Sequence, residues 1–336
     1  MKYCVTGCSG YIGSHLVSAL RALGHNVTGI DRRAPTWQEP NRFVQADLLE
    51  AKGLAYVLAN VDTVFHLAAA KDDWGLSSDE YYRDNLYATR ALIEAGREAT
   101  VKTWVFYSTV AVLGPSREPL DECAPVAPVI PYGASKAEAE MLFRDLAAED
   151  CDTRVLIMRP SAVYGAGAPP STNIYRLIDA VHRNRFVMIG NGQALKTTSY
   201  LDNLLAATLF ALSFMDRGVQ TYIYVDRPVL TTNELVERIY KLLGRRQPAP
   251  RVPLWLAWPI AHLADTAAAV LKVDLPITAA RIRKFCTPTN FSSHALQSLG
   301  FVQPVSNDDA LRVTAKWYVE SQRSRDVRAD RNVVIQ

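Results

Sequence analysis

Three side chains in this sequence could together move a proton on and off an alcohol: Thr109, Tyr132 and Lys136. A phenol with a pKa of about 10 is a poor base at neutral pH, but an adjacent ammonium favours the phenolate and lowers that value. Tyr132 and Lys136 are four apart and share one face of any helix that carries them. Tyr132 could then exchange a proton with a carbinol while Thr109 hydrogen-bonds the same oxygen. A cationic nicotinamide ring alongside would favour the phenolate further. Lys136 could also bind the nicotinamide ribose while hydride passes between the substrate carbon and the ring. In isolation a Tyr-x-x-x-Lys pair is usually just an exposed helical face, so the surrounding elements decide its meaning.

Those elements begin at the N-terminus. Lys2-Tyr-Cys-Val-Thr-Gly-Cys-Ser-Gly-Tyr-Ile-Gly-Ser-His15 reads as a strand, a tight turn and the first turn of a helix. Gly7 lets the chain turn, Gly10 lets backbone amides approach a pyrophosphate, and Gly13 lets the helix pack close, with the helix N-terminus supplying partial positive charge. The helix over 11–23 ends at Gly24-His25-Asn26, and the strand 27–30 ends in Asp31. An acidic residue there, roughly 20 residues past the turn, suits the adenosine ribose hydroxyls and repels a 2′-phosphate, which favours NAD over NADP. Arg32 and Arg33 follow directly and could bind a phosphate instead.

A third strand at 43–48 places Asp47 near where an adenine amino group could be contacted, and a helix follows over 50–60. The buried-type strand 63–70 opens into small residues that would let a cofactor backbone lie close. A continuous helix is expected over 78–100, a fifth strand over 103–107 ending in Ser108-Thr109, a proline-bearing loop, a helix from Tyr132 to 149, and a sixth strand over 153–158. Strands alternating with helices at this spacing predict an α/β fold. It is a Rossmann-type doubly wound parallel sheet with the ligand at the carboxyl ends of its strands. Shorter elements follow: helices near 173–183, 202–214 and 232–243, and strands near 186–189, 198–201 and 222–225. The expected organisation is a nucleotide-binding domain over 1–165, with some later segments returning to it. A smaller C-terminal substrate-binding lobe covers 166–322, and a tail over 323–336 without apolar pattern is expected to be disordered.

Composition limits the alternatives. The 336 residues are 49% hydrophobic and 21% charged, enough for one large core or one large and one small. A net charge of +3 with no continuous basic stripe gives no footprint for nucleic acid. The five cysteines have no metal-ligand spacing and suit reduced thiols, no metal site is expected, and the first apolar run is too short for a signal peptide, so a cytoplasmic protein is expected. The apolar stretch 252–273 approaches the length of a membrane span, but Pro259, His262 and Asp265 interrupt it. It is read as an amphipathic helix on the substrate side, with peripheral membrane contact as the alternative.

Taken together, Thr6-Gly-Cys-Ser-Gly-Tyr-Ile-Gly13, Asp31, Asp47-Leu48, His66-Leu-Ala-Ala69, Asn85, Ser108-Thr109, Tyr132 to Lys136 and Arg159-Pro-Ser-Ala-Val-Tyr-Gly165 resemble the extended short-chain dehydrogenase/reductases. Within them the likeness is to the NAD-dependent epimerase/dehydratase group, which acts mostly on nucleotide sugars. The resemblance implies that Gly7, Gly10, Tyr11, Ile12, Gly13, Asp31, Arg32, Asp47, Leu48, Leu67, Ala68, Ala69, Lys71, Asn85, Ser108, Tyr132, Lys136 and Pro160 line the NAD site, Lys71 matching the epimerases in particular. It also implies a homodimer, built by pairing the helices at 78–100 and 132–149.

Elimination of water across a sugar needs an added acid and base. The 4,6-dehydratases carry Asp-Glu after the position of Thr109 and the decarboxylases a Glu, whereas this chain has Val110-Ala111. That leaves reversible oxidation at one carbon. By resemblance Asn173 and Lys196 contact a nucleotide diphosphate, and Arg281 or Arg283 is the second phosphate clamp. Lys196 replaces the usual arginine and cannot fork two oxygens. Ala162 replaces an asparagine common in sugar-nucleotide epimerases. The segments 190–203 and 291–318 are similar to members found with bacterial surface-polysaccharide synthesis. The leading expectation is 4-epimerisation of a UDP-hexose or UDP-N-acetylhexosamine. The alternatives are a 4-keto-sugar reductase or dehydrogenase, a hydroxysteroid-type dehydrogenase, and a non-catalytic NAD-binding module.

Overall fold

The computed structural model describes residues 1–35, 40–50, 52–71, 75–246, 249–259 and 279–333, with backbone only at 280, 281, 283, 284 and 325–333. In chain order the first elements are β1 (Lys2–Thr6), α1 (Tyr11–Ala22), β2 (Asn26–Asp31), β3 (Arg42–Gln45), α2 (Leu54–Leu58), β4 (Thr63–His66), α3 (Ser78–Tyr81), α4 (Ala88–Glu98) and β5 (Thr103–Tyr107). They are followed by β6 (Ser116–Leu120), α5 (Pro131–Glu149), β7 (Arg154–Pro160), β8 (Ala162–Tyr164), α6 (Asn173–His182), β9 (Met188–Ile189), β10 (Leu195–Lys196), β11 (Thr198–Tyr200), α7 (Leu201–Ser213), β12 (Gly218–Tyr224), β13 (Leu230–Thr231), α8 (Thr232–Leu242) and β14 (Arg251–Val252).

Seven strands form one parallel sheet in the order β12-β7-β5-β4-β1-β2-β3. The chain starts in the middle, steps outward through β2 and β3, then crosses back to β4. The reversal between β1 and β4 opens the crevice at the strands' carboxyl ends where such sheets bind ligands. One face packs α1 and α7 through Leu16, Leu20, Leu201 and Leu204, all at most 1% exposed. The opposite face packs α2, α4 and α5 through Leu58, Leu92 and Phe143, each fully buried. Continuous apolar strands with both faces covered are what a parallel sheet requires.

The helix expected over 78–100 is not uniform. A capping box at Ser77 and Glu80 starts α3, a wide π-helical turn occupies Tyr82–Tyr87, and α4 resumes at Ala88. The wide turn carries Asn85, whose side chain spends its hydrogen bonds on Ala70 and Ser135 rather than on solvent. Periodicity could not show this, because the extra residue changes the pitch without changing residue types.

Two later segments return to the main sheet. β12 pairs along its full length with β7 as the edge strand, and α7 covers the β1 side. The rest forms a lobe above the carboxyl edge, with a four-stranded sheet in the order β13-β10-β15-β6, where β15 is Thr289–Phe291. Its core joins α6 and α8 to the last helix through Ile178, Ile239 and Tyr318. That last helix spans Asn307–Val333, so the stretch from 323, expected to be disordered, continues as helix to Val333. Its arginines and alanine are good helix formers, and propagation from an anchored helix needs no apolar stripe of its own. Of the apolar stretch 252–273, Val252 pairs with Ile189 and residues 254–259 are helical, and 260–273 lie outside the described residues. Among the described residues no helix is long and apolar enough to cross a membrane.

Candidate active site

Packing against the β5 exit fixes the start of α5. Pro131 occupies the first helical turn after the extended Ile130, a position where its missing N–H costs nothing. Gly133 follows, and a Cβ there would lie 2.5 Å from the Ala111 carbonyl oxygen. The helix thus sits directly on the short 3-10 turn Val110–Val112 that begins at Thr109. Thr109 Oγ1 accepts the Ala111 N–H at 3.2 Å, which leaves its hydroxyl proton to donate. The Tyr132 ring is half-buried and tilted against Tyr81 at 6.0 Å.

Lys136 is 1% exposed, with Nζ 4.0 Å from the centre of the Phe106 ring. Burial pulls its ammonium down to about 7, and the Glu140 charge one turn along opposes that pull. Glu140 is held in turn: Ser108 Oγ donates to it at 2.5 Å, and Arg159 donates from Nε at 2.9 Å and Nη2 at 2.6 Å. Glu140 and Arg159 are both 2% exposed. This buried pair ties the β5 exit, α5 and the β7 exit together, so Thr109, the Tyr132–Lys136 face and Pro160 share one frame. Arg159 Nη1 has no hydrogen-bond partner.

Behind the crevice, Thr6 Oγ1 lies 2.7 Å from His66 Nδ1, and Thr89 Oγ1 lies 2.8 Å from His66 Nε2. Thr89 Oγ1 donates to the Asn85 carbonyl, so it must accept from Nε2–H, and Nδ1 then accepts from Thr6. Burial, with Lys136 next, pushes His66 well below its usual value and keeps it neutral. Thr6 Oγ1 also accepts the Ala68 N–H at 3.3 Å, so this chain of hydrogen bonds fixes the small-residue exit of β4.

The glycine turn at 7, 10 and 13 has the geometry of a dinucleotide cradle. Gly7 has φ +70° and a Cβ on it would lie 2.7 Å from the Ala68 nitrogen, while one on Gly13 would lie 2.1 Å from the Gly7 carbonyl oxygen. Only glycine allows that closeness of the turn to the β4 exit and of α1 to the turn. α1 opens at Gly10 without a side-chain cap, leaving its first-turn N–H groups for an anion. Asp31 accepts Ser9 N–H on Oδ2 at 3.0 Å and Arg33 N–H on Oδ1 at 2.9 Å, so the carboxylate is oriented with lone pairs to spare for hydroxyls.

The other residues anticipated from the sequence divide into two groups. Ile12, Leu67, Ala68, Ala69, Asp47, Leu48, Ser108 and Pro160 lie on the turn and at the strand exits beside it. Lys71 is exposed immediately after the β4 exit. Tyr11 is buried, and its hydroxyl, without a hydrogen-bond partner, sits against Gly165. Arg32 is taken up by Asp84 at 2.8 Å. Asn85, 1% exposed, braces Ala70 against Ser135 rather than opening into the crevice. Asn173 is exposed at the start of α6, and Lys196 Nζ donates to the Thr287 carbonyl at 2.7 Å. Arg281 and Arg283 lie on the helix Ala279–Cys286, and their side chains are outside the described residues. The sequence reading gave no role to Glu140 or Asp84, and it held His66 and Arg159 only as members of family motifs. Glu140 left a signal in its four-residue spacing from Lys136.

Comparison with known proteins agrees with this layout. The NAD dependent epimerase/dehydratase family matches residues 3–225, from β1 through the end of the seven-stranded sheet. Among relatives, the chain is 28% identical over 322 residues, 96% of each chain, to the N-acetyl-alpha-D-glucosaminyl-diphospho-ditrans,octacis-undecaprenol 4-epimerase of Escherichia coli O157:H7. It is also 28% identical to the 2-alkyl-3-oxoalkanoate reductase of Stenotrophomonas maltophilia, over 93% of this chain and 98% of that one. A solved structure of MoeE5 in complex with UDP-glucose and NAD superposes with a TM-score of 0.78 at 29% identity, covering 96% of this chain and 100% of that one. The chain belongs to the NAD-dependent epimerase/dehydratase family, and its cofactor is NAD.

Proposed function

We propose that the protein interconverts the C4 epimers of a UDP-hexose or UDP-N-acetylhexosamine. The observation that carries this reading is the frame joining Thr109, Tyr132 and Lys136, with Val110 and Ala111 where elimination chemistry would need acids. The bound NAD supplies a reversible hydride acceptor at the sugar carbon. Tyr132, as phenolate beside the Lys136 ammonium, takes the C4 hydroxyl proton, and Thr109 donates a hydrogen bond to the same oxygen. Rotation of the keto-sugar then presents its other face, and Tyr132 returns the proton. Lys136 favours the phenolate, and its near-complete burial excludes the water that would screen its charge. Asn173 and Lys196 serve the diphosphate from the lobe above.

The test is incubation of the purified protein and NAD with UDP-glucose, UDP-N-acetylglucosamine and their C4 epimers. Interconversion of one pair is expected, and Tyr132→Phe should lower turnover at least about a hundredfold while leaving NAD binding intact. No interconversion of any pair would overturn the reading.

One observation favours a second carrier for the sugar. Trp255 is 74% exposed beside exposed Leu254 and Leu256, an apolar surface on the substrate lobe. With a relative whose name specifies a diphospho-undecaprenol sugar, this supports a lipid-linked diphosphate in place of UDP. Turnover of a polyprenyl-diphosphate N-acetylhexosamine in detergent, with none of UDP-sugars, would select it.

A further inference from the structure

The residue that follows the ribose-binding Asp31 is an arginine, and an arginine at that point is well suited to fork the oxygens of a 2′-phosphate. Here its guanidinium is already forked. Arg32 Nη2 donates to Asp84 Oδ2 at 2.8 Å and Nη1 to Asp84 Oδ1 at 3.4 Å, and Nη1 lies 3.7 Å from Asp47 Oδ2. Asp84 is only 17% exposed, whereas Arg32 is 52% exposed. The carboxylate is the fixed partner, because Asp84 sits on the π-helical turn immediately before Asn85, which is tied to Ala70 and Ser135. Arg83 Nη1 holds its other side at 2.6 Å. Arg32 is anchored at the main chain as well, since its carbonyl accepts Gln45 Nε2 at 3.1 Å.

We propose that Asp84 is a cofactor-specificity residue: it captures the Arg32 guanidinium and so withholds from NADP the phosphate clamp that the sequence otherwise provides. Two separate devices then favour NAD. Asp31 repels a 2′-phosphate directly, and Asp84 occupies the one cation best placed to offset that repulsion. The neighbourhood adds to this, since Asp47 and Glu50 face Arg83 at 3.0 and 3.8 Å and keep its charge occupied too. Arg33 lies 3.9 Å from Asp31 itself. A half-exposed ion pair contributes little to stability, so its consequence is selective rather than structural.

The test is calorimetric titration of the full-length protein with NADH and with NADPH, which needs no substrate. Asp84→Asn, a near-isosteric change, should strengthen NADPH binding about tenfold, the scale of one charge-assisted contact, and leave NADH binding within about twofold of the parent. Asp84→Asn with Arg32→Ala should return NADPH binding to the parent value, which assigns the gain to the released guanidinium. The proposal is overturned if Asp84→Asn leaves the ratio of the two affinities unchanged, or if the gain survives removal of Arg32.

Discussion

Lys136 is a buried cation whose cost has a measurable consequence. Its ammonium is buried, and burial brings its value from the ordinary range down to about 7. Between about 7 and the usual lysine value the unfolded chain holds more protons than the folded one, so stability attributable to this group rises with pH across that window. Replacing Lys136 by methionine removes the cost. The variant should therefore melt higher than the parent by at least about 3 °C at pH 6, with the difference closing toward pH 10. Calorimetry across that range checks it; a gap that is constant with pH would mean that Lys136 binds its proton equally in the folded and unfolded chain. That Thr109, Tyr132 and Lys136 would stand together was legible from residue type, spacing and their place after the fifth strand. Their support was not. Glu140 and Arg159 are 19 apart in sequence and Arg32 and Asp84 are 52 apart, and no local pattern tells a surface charge from one aimed at a distant partner.

At the scale of elements, the site depends on one close approach. The absence of a side chain at Gly133 lets α5 rest on the Ala111 carbonyl, and that contact sets the distance from Thr109 to Tyr132. Gly133→Ala must push the two apart. A displacement near 1 Å at a reacting centre costs about a hundredfold in rate, so turnover should fall on that order while NAD binding, supported by Gly7 and Gly13, changes little. Equal losses in both would show that the whole crevice, and not one contact, had been disturbed. The strands and helices of the first half were readable because buried parallel strands form apolar runs and their connecting helices repeat apolar residues at helical spacing. The π-helical turn at Tyr82–Tyr87 was not readable, because it is a response to the tertiary bonds of Asn85.

At the scale of the whole molecule, the first core draws on both halves of the chain. A boundary at 165 separates two regions of different texture, yet α7 and β12 lie beyond it and complete the first core. Leu201, Leu204, Leu205 and Tyr224 are buried against Leu16, Phe65 and Met158. β12 is the seventh strand, paired with β7 from Arg154 to Pro160. A fragment ending at 165 would expose the apolar face beneath α7 and the β7 edge, both of which invite association. It should show no cooperative thermal transition, while the full chain melts as a unit; a sharp transition in the fragment would restore the boundary. A return of later segments was expected from the sequence, but not which ones: β12 reaches the sheet only after the lobe elements β8 to β11.

In the proposed epimerisation, hydride leaves and returns at one sugar carbon within a single binding event. A UDP-hexose or UDP-N-acetylhexosamine deuterated at C4, supplied with unlabelled NAD, follows that hydride. A C4-epimeric product that keeps its deuterium at C4 is expected, with no net change in absorbance at the nicotinamide band. Accumulation of reduced cofactor carrying the deuterium would instead mark a dehydrogenase, and an epimer that has lost its deuterium would mark exchange or proton abstraction at C4; either result rules out hydride return within one binding event.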